Sequence, residues 1–93
     1  MNPQPIGDYI FTDHARIEIQ RRGLSEEMVR AILLAPEQRL EVRPGREVLQ
    51  SKISSRQPEK AYLLRVIVDT DRHPAEVVTA YRTSKIEKYW REP

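Results

Sequence analysis

The spacing of apolar residues changes abruptly at Pro36, and this change constrains the fold more than any other feature of the chain. Before Pro36, apolar side chains recur every three or four residues, which is the spacing of one face of an α-helix. After it they tend to alternate with polar side chains, as in β-strands. The sequence therefore predicts helices followed by a sheet, which is an α+β domain.

Two helices are predicted before the proline. The first covers Asp13–Arg22, with Thr12 or Asp13 as its N-cap and Gly23 as its left-handed C-terminal stop. The second begins after Ser25, a good capping residue, and ends just before Pro36, since the residue preceding a proline disfavours the helical conformation. Residues 1–10 are expected to be a loose lead-in to a single domain that spans residues 11–93.

Four strands are predicted after the proline, joined by links short enough for an antiparallel meander with the helices packed on one face. Ser54–Lys60 is expected to be a polar loop between the second and third strands. The strands are predicted around Leu40 and Val42, over Val48–Ile53, over Ala61–Asp69 and over Glu76–Arg82.

A short last helix is predicted from Lys85 to about Arg91, because Ser84 and Glu87 have the spacing of a capping box. We expect the core to include Ile32 on the second helix and Val66 on the third of the four predicted strands.

Several classes of protein are excluded or disfavoured by composition. The 93 residues include no cysteine, so there is no disulfide framework, thiol nucleophile or cysteine-ligated zinc. No glycine-rich phosphate loop is present, and neither His14 nor His73 has the spacing of a metal site, so no metal or other cofactor is expected. No apolar run reaches the ~18–20 residues of a membrane span, and the first residues lack the features of a signal peptide, so a cytoplasmic location is expected.

The candidate catalytic and substrate-binding residues fall into two groups. The first helix carries His14 and Arg22, and the end of the last strand carries Thr79, Tyr81, Thr83 and, just beyond it, Lys85. Arg65 lies on the neighbouring predicted strand, where a charged side chain needs a partner or an opening to solvent. Purely structural roles are the alternatives: His14 bonded to a nearby carboxylate, Arg22 at a helix end, and Arg65 in a salt bridge to a glutamate.

The chain resembles a bacterial domain-of-unknown-function family, number 4258 (DUF4258), from about Phe11 to Trp90. The resemblance is carried by residues 11–15 (FTDHA), 22–27 (RGLSEE), 64–66 (LRV) and 78–86 (VTAYRTSKI). This family looks related to the RelE/ParE toxin clan, small proteins with helices followed by a meander, some of which are metal-independent ribonucleases. The relationship implies a RelE-like fold, an RNA substrate and an antitoxin partner. One departure is Glu18, where the family usually has arginine; it removes a phosphate-binding charge and could instead pair with Arg22 or orient His14.

Together these features predict a small toxin-like, metal-independent endoribonuclease. In that hypothesis His14 transfers a proton, Tyr81 stacks or donates a proton, and Arg65 and Lys85 supply positive charge. Arg22, Thr79 and Thr83 would bind substrate. The alternative is a non-catalytic module that binds RNA or a protein through the same surface, which the modest net charge of +2 and Glu18 favour.

Overall fold

The computed structural model describes residues 3–56 and 59–92, and these residues form three helices and one five-stranded sheet. The helices are α1 (Asp13–Arg21), α2 (Glu26–Leu34) and α3 (Ile86–Tyr89), and the strands are β1 (Tyr9–Phe11), β2 (Gln38–Arg43), β3 (Arg46–Arg56), β4 (Glu59–Asp69) and β5 (Ala75–Thr83). The strand order is β1-β5-β4-β3-β2, and all neighbours are antiparallel except β1 and β5. The predicted α+β class is confirmed.

Helices α1 and α2 begin and end where their sequences indicate. The Thr12 hydroxyl accepts a bond from the Ala15 N–H at 3.0 Å, and the Ser25 hydroxyl accepts one from the Met28 N–H at 3.1 Å. These bonds satisfy N–H groups that have no partner within the helix. Gly23 adopts a φ of +70°, a conformation that other residues rarely take, and it lets the chain turn from α1 to α2.

The main core lies between these two helices and one face of the sheet, called here the first face. Ala15, Ile19, Val29 and Leu33 of the helices are buried there, as is Ile32. They pack against side chains of the three central strands, among them Leu49, Leu64, Val66, Val68, Val77 and Ala80. The expected core positions of Ile32 and Val66 are therefore confirmed.

The four-strand prediction is wrong in its count, because part of the expected lead-in forms β1. Tyr9–Phe11 pair in parallel with Ala75–Val77 at the edge of the sheet. Upstream of it, Ile6 lies in the core, and its N–H donates to the Leu33 carbonyl at 3.1 Å. A three-residue strand whose partner is 66 residues away leaves no local periodicity from which it could have been predicted.

The β3–β4 hairpin is longer than expected. The predicted loop Ser54–Lys60 is strand up to Arg56 and again from Glu59, with Ser54 opposite Ala61; positions 57 and 58 lie outside the described residues. The backbone ladder holds this part of the hairpin together, so polar side chains that resemble a loop in sequence are compatible with strands. We call Lys52–Arg56 with Glu59–Leu63 the hairpin arm.

The C-terminal segment packs on the opposite, second face of the sheet, so the expectation that all helices cover one face is wrong. The Gln50 side-chain amide donates to the Tyr89 carbonyl at 3.1 Å, and the Arg91 N–H donates to the Gln38 side chain at 3.1 Å. Helix α3 is also shorter than predicted: its N-cap is Lys85 rather than Ser84, and no side chain caps it. Within the described ranges, no helix is long and apolar enough to cross a membrane.

Candidate functional site

Arg65 lies in the middle of β4 on the second face, opposite Gln50 of β3 and Tyr81 of β5. Its Nε donates to Gln50 Oε1 at 2.9 Å, its Nη1 donates to the Tyr81 hydroxyl, and its guanidinium carbon lies 4.1 Å from the centre of the Tyr89 ring. No carboxylate among the described side chains forms an ion pair with it. The glutamate salt bridge considered from sequence is therefore not found, and neutral groups hold a positive charge on this face.

Gln50 orients this arginine and is fully buried. Its Nε2 donates to Gln38 Oε1 at 2.7 Å and to the Tyr89 carbonyl at 3.1 Å, while its Oε1 accepts from Arg65. Every hydrogen of the amide group is thus used, as burial requires. Gln50 joins the sheet, the C-terminal segment and Arg65 into one network.

A cleft of about 250 Å³ opens beside Arg65, between β2, β3 and the C-terminal segment. Three cationic side chains line it, Arg65, Lys88 and Arg91, together with the Tyr89 ring, three aliphatic side chains and a single carboxylate, Glu41. Positive charges outnumber negative ones in this cleft, and a concave wall focuses their field. The cleft is therefore suited to an anionic ligand.

Two phenols accompany Arg65. The rings of Tyr81 and Tyr89 meet edge-to-face with centres 6.4 Å apart. The ammonium group of Lys88 lowers the pKa of the Tyr89 phenol from its ordinary 10, and Tyr81 and Arg65 act in the same direction. The anionic form of Tyr89 is thus more accessible than that of an isolated tyrosine.

A second group of polar side chains lies where α1 packs against β5, and we call it the edge cluster. Glu18 accepts a bond from the Thr79 hydroxyl at 3.0 Å, and it pairs with His14 and Arg22, each at 3.3 Å. Arg22 also donates to the Thr79 hydroxyl at 2.8 Å and to the Ala80 carbonyl at 2.9 Å. The hydrogen bond from Thr79, with the charges of Arg22 and His14, lowers the pKa of Glu18. The negative charge of Glu18 therefore offsets the positive charge of Arg22 in the edge cluster.

Comparison with family models matches residues 11–86 to the domain of unknown function DUF4258. The chain belongs to the DUF4258 family. No curated protein and no solved structure matches the chain.

The residues predicted from sequence divide among three places in this DUF4258 domain. Arg65 lines the cleft and Tyr81 of β5 bonds to it, while His14, Arg22 and Thr79 lie together in the edge cluster. Thr83 and Lys85 lie at the end of β5, where the Thr83 hydroxyl accepts a bond from the Lys85 N–H at 3.1 Å. Within the described residues, no hydrogen bond or ion pair links His14 to Arg65.

The predicted alternatives for Glu18 are both found, since it pairs with Arg22 and with His14. The bond between His14 and a nearby carboxylate is the structural alternative considered for that histidine. The His14 side chain is nevertheless 75% exposed, so the contact does not bury it.

Four residues of the candidate site were not predicted from the sequence: Lys88, Tyr89 and Arg91, which line the cleft, and the buried Gln50, which bonds to Arg65. One signal was present for Gln50, a polar residue directly after the apolar pair Val48 and Leu49 in a predicted strand. Where the structure describes the chain, no group of three or more histidine, cysteine, aspartate or glutamate side chains could hold a metal ion.

Proposed function

We propose that the protein is a small toxin-like, metal-independent endoribonuclease that binds the phosphodiester of RNA through Arg65. The proposal is supported chiefly by the partners of this guanidinium. It bonds to the neutral side chains of Gln50 and Tyr81 and lines the cationic cleft on the second face. The order of helices and strands, together with the resemblance to the RelE/ParE clan, supports the toxin class and an antitoxin partner.

The donors of Arg65 fit this role. A guanidinium has five N–H groups, and the hydrogen bonds to Gln50 and Tyr81 use two of them. Three remain for a ligand, and the planar group matches two phosphate oxygens at once. Because Gln50 and the two tyrosines fix its plane, little side-chain freedom is lost when the phosphate binds.

The tyrosines can supply proton transfer. In the reaction proposed here, the Tyr89 phenolate takes the proton of the ribose 2′-hydroxyl, and the 2′-oxygen forms a bond to phosphorus. The bond from phosphorus to the 5′-oxygen breaks, and that oxygen takes a proton from Tyr81, whose hydroxyl accepts from Arg65 and so keeps its own hydrogen to donate. The products are a 2′,3′-cyclic phosphate and a 5′-hydroxyl, and Arg65 stabilises the charge on phosphorus.

This assignment replaces His14 with Tyr89 as the proton acceptor. Tyr89 lines the cleft and has a lowered pKa, whereas His14 pairs with Glu18 in the edge cluster. Lys88 and Arg91 add positive charge at the cleft wall and take the part first assigned to Lys85.

The test is cleavage of a single-stranded RNA by purified protein in excess EDTA. We expect cleavage by the wild type, and a loss on the order of 10²–10³-fold in Arg65→Gln, the range for removing one donor to a charged transition state. Tyr89→Phe should lose cleavage but keep RNA binding. The control is Arg72→Gln, which removes one exposed charge from the β4–β5 turn. Equal cleavage by Arg65→Gln and the control would contradict the proposal.

A second candidate function is a non-catalytic module that binds RNA or a protein on the same surface. The location of His14 favours it, since no contact in the described part of the chain brings that histidine to Arg65. In this case the wild type would bind RNA, or a protein, through Arg65 without cutting RNA, and Arg65→Gln would lose the binding alone.

A further inference from the structure

A second cationic and aromatic surface lies on the first face, at the hairpin arm. The Lys60 ammonium lies 5.5 Å from the centre of the Tyr62 ring, and the Arg82 guanidinium carbon lies 5.4 Å from it. The register explains the grouping: Lys60, Tyr62 and Leu64 follow one another on one face of β4, and Arg82 of β5 lies opposite Leu64. We call Lys60, Tyr62 and Arg82 the arm patch.

The arm patch carries charge that the described part of the chain does not neutralise. Lys60 and Arg82 are exposed, Tyr62 is half-buried, and no ion pair among the described residues involves either cation. Both cations lie within 5.5 Å of the centre of the same ring, so one anionic chain laid along that ring can interact with both charges. The patch is therefore complementary to a polyanion.

A comparable pair lies on the second face of the same arm. The Lys52 ammonium is 4.1 Å from the centre of the Trp90 ring, and Lys52 lies opposite Leu63 on the face that also carries Arg65. Both faces of the arm thus combine cations with aromatic rings. This combination is typical of surfaces that bind single-stranded nucleic acid, where charge holds the backbone and rings contact the bases.

The route between the cleft and the arm patch follows the end of β5. Tyr81, which bonds to Arg65, and Arg82, in the arm patch, are consecutive residues that point to opposite faces of the sheet. Strand β1 pairs with β5 only at Ala75–Val77, so no described strand covers the edge of β5 beside these two residues, although Arg22 contacts this edge at the Ala80 carbonyl. A strand of RNA several nucleotides long can pass around this edge.

We propose that the arm patch binds the backbone of single-stranded RNA outside the cleft, so that one RNA strand contacts both faces of the sheet. The inference rests on the proposed function, because it assumes that the phosphate beside Arg65 belongs to RNA. The proposal specifies the substrate as single-stranded RNA. An RNA long enough to contact both the cleft and the arm patch should bind more tightly than one that reaches the cleft alone.

The experiment compares a 16-nucleotide single-stranded RNA with a trinucleotide, each with 2′-O-methyl groups so that neither can be cleaved. Affinities are measured by fluorescence anisotropy from 50 to 200 mM salt for the wild type and for Lys60→Gln/Arg82→Gln. Each phosphate contact on a single strand contributes about 0.7 to the slope of log K against log salt. Over this range the wild type should therefore lose about sevenfold more affinity for the 16-mer than the variant does, while their affinities for the trinucleotide stay equal.

The matched control is Arg43→Gln/Arg72→Gln, which removes two exposed charges at the opposite end of the β3–β4 hairpin. It should keep the wild-type salt dependence, as should the charge-conserving Lys60→Arg/Arg82→Lys, and melting curves check that every variant folds. Identical salt dependence in the Gln double variant and the control overturns the proposal, and so does an equal loss on both RNAs. Failure of the proposed function is a separate result, because Arg65→Gln would then leave binding of the trinucleotide unchanged.

Discussion

Replacing Gln50 with leucine tests whether the buried amide holds the sheet, the C-terminal segment and Arg65 together. Leucine has a similar volume and leaves little cavity, so the change removes mainly three hydrogen bonds. Each bond contributes about 0.5–1.5 kcal/mol net, and a partner left unsatisfied in a buried site costs about 1–3 kcal/mol. Gln38 and Arg65 are partly exposed and can turn to water, so only part of that penalty applies. We expect the free energy of unfolding to fall by about 2–4 kcal/mol.

Urea denaturation measures this change, with Gln20→Leu on the exposed surface of α1 as the matched control, expected to stay within about 0.5 kcal/mol of the wild type. Gln50→Leu should also lower RNA binding, because Arg65 loses the bond that orients it. A change in unfolding free energy no larger than that of the control would refute the account of Gln50 as the centre of this network.

Three further predictions follow from the packing and the ionisable groups. Ile32→Ala and Val66→Ala should each lower the unfolding free energy by about 1–4 kcal/mol in urea denaturation, because both side chains are buried between α2 and the sheet. The pKa of Glu18 is lowered in the folded protein, so its ionised carboxylate stabilises the fold at neutral pH, and this stabilisation is lost as the pH falls through the folded-state pKa. In urea denaturation, Glu18→Gln should therefore lower the unfolding free energy at pH 7 and lower it less at pH 3. If Tyr89 is the base, the rate of RNA cleavage should rise with pH up to its lowered pKa, and Lys88→Met should shift that rise to higher pH.

The local signals in the sequence were enough to predict the two N-terminal helices. Thr12, Ser25 and Gly23 determine where the chain enters and leaves each helix, and those preferences act within a few residues. The antiparallel β2–β5 meander was predicted for a similar reason, since short links between alternating segments leave few other pairings.

The parts that were missed depend on contacts between distant residues. Strand β1 exists because Tyr9–Phe11 meet the free edge of β5, and no pattern within three residues indicates a strand. Gln50 and Gln38 hold the C-terminal segment on the second face of the sheet. Gln50 bonds to Tyr89, 39 residues away, and Gln38 bonds to Arg91, 53 residues away. This position also places Tyr89 and Lys88 beside Arg65, so it determined the candidate site that sequence patterns could not predict in full.

We have proposed that Arg65, and not the edge cluster, binds the phosphate of RNA. The most direct measurement is a nuclear magnetic resonance titration of the protein with a 2′-O-methyl trinucleotide, following the side-chain Nε–H of Arg65 and the imidazole of His14. We expect a saturable shift at Arg65, with neighbouring shifts at Gln50 and Tyr89, and no change at His14. A saturable shift at His14 with Arg65 unchanged would instead show that the phosphate binds at the edge cluster.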